Sequence, residues 1–124
     1  MAHDGQDIAL SQTVLLDDLL GLTAATIAPV EALLSKAKET LRAATTVDGR
    51  ISGAAIEANQ TAAHGLAWLA TYVESLRQMQ NWATRLDSDG KFGEIEKLIH
   101  QIAFGEYLWQ IYGGIPMSQG EILR

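Results

Sequence analysis

From Gly53 to Leu86 the chain reads GAAIEANQTAAHGLAWLATYVESLRQMQNWATRL, with no proline in the stretch. Apolar residues at Ile56, Ala63, Leu66, Ala67, Ala70, Val73, Leu76, Ala83 and Leu86 recur at three- and four-residue intervals, the period of an amphipathic helix. This predicts one long helix and sets the fold class. Its small-residue centre, Ala62 to Ala70 with Gly65 inside, predicts a site where a neighbouring backbone comes close. Asp87-Ser88-Asp89-Gly90 supplies the stop.

On the carboxyl side, Phe92, Ile95, Leu98, Ile99, Ile102, Ala103 and Leu108 define a further helix, closed at Gly113-Gly114-Ile115-Pro116. Ser118-Gln119-Gly120-Glu121 then has the form of a capping box, Ser118 accepting from a backbone N–H while Glu121 reaches back. That predicts the opening of another helix and a chain that continues past Arg124. On the amino side, Thr45 to Gly53 is β-branched and turn-rich, a connector tightest at Asp48-Gly49, with Ser52 or a neighbour capping the next helix. Before it, Ser11 is a candidate N-cap for the series Val14, Leu15, Leu19, Leu22, Ile27, Val30, Leu33, Leu34 and Leu41. Pro29 lies inside that series and removes a ladder bond, so the spacing predicts a kink near Thr26 or two helices meeting there. No segment alternates with period two, so no strand is expected. Short polar turns between long helices return each helix beside its predecessor. The expected fold is all-α, an antiparallel up-and-down bundle of three to four long helices. Residues 1–10 form a polar lead-in, 11–113 the bundle, and 114–124 the start of a linker to a carboxyl-terminal body.

Hydrophobic residues at 48% against 19% charged place the 124-residue chain among folded single domains. Scattered Lys and Arg and a net charge of −6 leave no footprint for nucleic acid or an anionic bilayer. No cysteine is present, which removes disulfides, thiolate nucleophiles and Cys-based metal sites and fits the cytoplasm. The start, Met1-Ala2-His3-Asp4-Gly5-Gln6-Asp7, lacks the basic and apolar regions of a signal peptide, and no run reads as a membrane span.

Residue chemistry assigns no reaction. A di-metal bundle needs inward glutamates and Glu-x-x-His pairs on separate helices. The nearest approaches are Glu96 with His100, flanked by Glu94 and Glu106, and Glu57 with His64. At i, i+4 spacing Glu96–His100 reads as a surface ion pair, and His64, among alanines, as a core or interface histidine. Ser11, Ser35, Ser52, Ser75, Ser88 and Ser118 fall at helix starts or on helix faces without a nucleophile elbow. Gly49-Arg50-Ile51-Ser52-Gly53 is a turn without the glycine pattern of a phosphate loop. Arg77 and Arg85 read as solvated or paired within their helix. No catalytic, cofactor-binding or metal residue is therefore assigned. What remains is an aromatic surface. Trp68, Tyr72, Leu76, Met79 and Trp82 follow one side of the long helix, either as a docking surface or as the side facing another helix of the bundle. Trp68, Tyr72, Trp82, Tyr107, Trp109 and Tyr112 cannot all turn inward, so part of this apolar area is expected outside, with Trp109 included.

Several strings together resemble a known extension: Val47-Asp48-Gly49-Arg50-Ile51-Ser52, Ala62 to Glu74, Phe92-Gly93-Glu94-Ile95-Glu96, Gln101 to Leu108, and Gly113 to Ile122. They resemble the amino-terminal helical extension of the methylsuccinyl-CoA dehydrogenases, acyl-CoA dehydrogenase-like flavoenzymes of the ethylmalonyl-CoA pathway in alphaproteobacteria. The resemblance implies a cytoplasmic, homo-oligomeric parent oxidoreductase. Its body binds FAD and supplies a glutamate that removes the α-proton while the flavin takes hydride from the β-carbon. None of those residues maps onto this chain. The resemblance implies a non-catalytic helical domain that packs on its own carboxyl-terminal body or on a second subunit. A freestanding helical interaction module is the alternative.

Overall fold

The computed structural model describes residues 14–117 and 120–124. Helix α1 spans Leu19–Thr45, β1 Thr46–Val47, β2 Arg50–Ile51, α2 Gly53–Ala58, α3 Gln60–Ser88, α4 Glu94–Gly113, β3 Ile115–Pro116 and β4 Ile122–Leu123. Three long helices and two minimal hairpins make an all-α bundle.

The candidate cap Ser11 lies outside the described residues. Helix α1 starts at Leu19 behind Asp18, a left-handed residue at φ 51° whose carbonyl accepts from the Leu22 N–H at 3.0 Å. Val14 and Leu15 thus precede the helix they were expected to join. Of the two alternatives at Pro29, two helices meeting there is not what forms: α1 is one element with the proline inside it. Ala25 and Pro29 are both exposed, so the carbonyl deprived of its donor lies on the solvated side. By length and composition α1 is also apolar enough to cross a membrane, contrary to the sequence expectation. In the bundle it packs through Leu19, Thr23, Val30, Leu34 and Thr45.

The helix expected to run unbroken from Gly53 divides at Asn59. Its side-chain amide donates to the Ala55 carbonyl at 2.8 Å and its backbone N–H to the Ile56 carbonyl at 3.0 Å. Asparagine thereby satisfies locally what the helix ladder would otherwise take up, and its φ of −117° ends α2. Ser52 caps α2 as expected, its hydroxyl accepting from the Ala55 N–H at 3.2 Å.

Two strand pairs correct the all-helix, all-turn expectation. Asp48 at φ 50° and Gly49 at φ 75° form the two-residue turn that joins β1 to β2. After α4, closed by Gly114 at φ 127°, β3 and β4 pair Ile115 with Leu123 and Pro116 with Ile122. Residues 120–124 therefore do not open a helix, and Ser118 and Gln119 of the expected capping box lie outside the described residues. The Met117 N–H instead donates to the Glu121 carbonyl at 2.8 Å, closing the hairpin.

Helix α3 is the axis of the molecule, packing on α1 along one side and α4 along another, while α1 and α4 touch each other far less. Val30, Leu34, Leu69, Tyr72, Val73, Leu76, Phe104 and Ile115 form the main core, and Leu19, Ala83 and Phe92 a second one at the far end. The small-residue centre of α3 does admit a neighbour, though a side chain rather than a backbone. A Cβ at Gly65 would stand 2.7 Å from Leu123 Cδ1, so glycine makes room for the end of the Leu123 side chain on α3.

Candidate docking surface

The bundle distributes the aromatic stripe of α3 between core and rim. Leu76 is fully buried and Tyr72 nearly so. Tyr72 stacks on Tyr107 with ring centroids 4.5 Å apart, and its hydroxyl donates to Gln110 Oε1. Burial first, then Tyr107 and Glu106, raises its pKa. Trp68 stands edge-on to Tyr72 at 6.2 Å, and its indole N–H donates to His64 Nε2 at 2.9 Å. Met79 packs against the main core, and Trp82 stands edge-on to Phe92 at 6.4 Å. These five side chains spend much of their surface on the bundle itself. Trp109, by contrast, faces out.

The other candidates also find local partners. His100 is not in a surface pair with Glu96. It is completely buried, with Nε2 3.0 Å from Thr23 Oγ1, and Thr23 in turn donates to Gln80 Oε1 at 2.7 Å or to the Leu19 carbonyl at 3.0 Å. Helices α1, α3 and α4 each give one side chain to this cluster. His100 Nδ1 has no partner, and burial lowers the pKa of the ring, so the imidazole is neutral. The i, i+4 spacing is the same for a surface pair and for a core histidine, and the helix phase decides between them. His64, expected in the core or at an interface, is not in the core: it is exposed and bridges Trp68 and Glu121, the latter at 3.3 Å. Since Nε2 accepts from the indole, Nδ1 carries the proton and donates to the carboxylate. Arg77 pairs with Glu74 on its own helix and reaches across to Glu31 of α1 at 2.9 Å. Among the described residues no three His, Asp or Glu side chains converge as metal ligands.

A cleft of about 860 Å³ is rimmed by Asp17, Asp18, Asp87 and Glu94 against Lys97 alone, a field that repels the pyrophosphate of a flavin dinucleotide.

The surface the sequence reading missed is the outer side of α4. At 3.6 residues per turn, positions 95, 99, 102, 106 and 109 share one side of a helix, and 100, 104, 107 and 111 the opposite one. The second set faces α3: His100 and Phe104 are buried, and Tyr107 and Ile111 pack on the core. The first set carries Ile95, Ile102 and Trp109, which are 69%, 68% and 71% exposed, with Ile99 beside them. Tyr112, 88% exposed, extends this area to a groove of about 570 Å³ shared with Pro29, Leu33 and Ile111. An aromatic side chain alone offers about 150–250 Å². Five large apolar side chains open to this degree along one helix are the kind of patch that marks an interaction site. The signal in the sequence was density: α4 holds too many apolar residues for a single stripe, the mark of a helix covered on both sides.

Among the described residues the arrangement offers an apolar face on the outer side of α4. No family model matches the chain. Over 110 residues, 89% of its length, the chain is 59% identical to (2S)-methylsuccinyl-CoA dehydrogenase of Cereibacter sphaeroides, and it spans 20% of the length of that protein.

Proposed function

We propose that this chain is a non-catalytic helical domain of an FAD-dependent acyl-CoA dehydrogenase of the methylsuccinyl-CoA type, acting in the ethylmalonyl-CoA pathway in the cytoplasm. It stands at the amino-terminal end of its parent and packs on the catalytic body or on a neighbouring subunit of a homo-oligomer. The observation that carries this reading is the 59% identity over nearly the whole chain to an enzyme five times as long as the match. The structure adds support of a second kind: an all-α bundle with an apolar face left over on the outer side of α4. In this reading FAD and the proton-abstracting base belong to the body.

The test is to isolate the polypeptide that carries this sequence from its own cells and compare it with the 124-residue chain. A longer polypeptide with flavin absorbance that dehydrogenates methylsuccinyl-CoA is the expected result, with neither property in the 124-residue chain. Flavin binding by the short chain would refute the non-catalytic role. A native product of 124 residues would favour the freestanding interaction module, for which the same apolar face would serve.

A further inference from the structure

The outer face of α4 is apolar along most of the helix, at Ile95, Ile99, Ile102, Trp109 and Tyr112. Its charged rim carries both signs: Glu106 and Glu94 are exposed, Arg85 of α3 lines the same cleft as Ile102 and Glu106, and the Gln110 amide donates to Glu106 Oε1 at 2.7 Å. The geometry points to this face as the seat of the remaining polypeptide of the parent dehydrogenase, through an apolar patch. The inference rests on the proposed function and adds to it the face of the contact.

The length of the relative carries the choice of occupant: about four fifths of it lies outside the match, so ample polypeptide exists to cover the face. A partner patch of apolar side chains buries the isoleucines and the indole together. Tyr112 then closes the contact over Pro29 and Leu33 of α1.

Hydroxyl-radical footprinting of the native polypeptide, set beside the 124-residue chain, tests this. Trp109 and Ile102 should label about tenfold more slowly in the native polypeptide, because interface cores exclude solvent as protein interiors do. Trp82, already held in the bundle, should label alike in both. Ile102→Asp in the native polypeptide should restore fast labelling of Trp109 while circular dichroism of the 124-residue variant stays unchanged. A long, flavin-bearing polypeptide whose Trp109 labels as fast as in the short chain would overturn the inference and leave the proposed function standing. A native product of 124 residues without flavin would overturn both. Protection of Trp109 in the short chain that grows with its concentration and vanishes in Ile102→Asp would assign the face to a second copy and overturn the inference.

Discussion

Helices α3 and α4 are both long, both rich in large apolar side chains, and adjacent in the fold, yet they are used differently. On α3, packed on two sides, Tyr72, Leu76 and Ala83 are buried, and Trp68, Met79 and Trp82 rest on the core. On α4 one side meets α3 through His100 and Phe104, while Ile95, Ile102 and Trp109 look outward. An aromatic stripe thus marks a core helix in one case, and in the other a surplus of apolar residues marks a surface. The discriminating quantity is the angular width of the apolar area, since one neighbour covers one stripe and no more.

The contrast can be broken most forcefully at Leu76. Leu76→Ala should destabilise the chain by about 3–4 kcal/mol in urea denaturation, the range for emptying a closed core site, and a loss under about 1 kcal/mol would mean that α3 is not the axis. His100 comes next. Its folded-state pKa is lowered, so below about 6.5, the ordinary histidine value, the unfolded chain binds the proton that the folded chain rejects. Stability should therefore be fully present above that pH and fall as the solution is acidified, by at most about 1.4 kcal/mol per pH unit. His100→Leu should remove that slope between pH 7 and 5, and a slope that survives would place its source elsewhere. Arg77 neighbours Leu76 in sequence but sits at the rim, 39% exposed in its side chain. Arg77→Ala should lower stability by about 1 kcal/mol or less, and less again in high salt. The smallest effect belongs to the outer face: Ile102→Asp should shift the stability of the 124-residue chain by less than about 0.5 kcal/mol. A large loss there would show that α4 is already covered in the isolated chain.

Much of this architecture was legible in the sequence. The three- and four-residue spacing located α3 and α4, Gly113-Gly114 ended the last helix, and Ser52 capped α2. The features that escaped notice did so for identifiable reasons. Periodicity gathers every apolar residue at helical spacing into one face, so the series Ile95, Leu98, Ile99 and Ile102 read as core when much of it points outward. Phase was also invisible for the two histidines: His100, expected in a surface pair, is buried, and His64, expected in the core or at an interface, lies outside the core. Asn59 broke a pattern through its side chain, which the hydrophobic period does not register. The hairpin at Asp48-Gly49 carried its turn signal, but strands of two residues are too short to show alternation. At the docking face, the residue types were visible and their direction was not.

The notch at Gly65 gives the final residues of the chain a mechanical role. Leu123, paired with Ile115 in the β3–β4 ladder, fills it. Successive strand residues point to opposite sides, so deleting one residue between Pro116 and Ile122 would shift the ladder like a slipped gear tooth and turn Leu123 away from α3. The bundle would then have an unplugged socket at Gly65, near the amino end of α3.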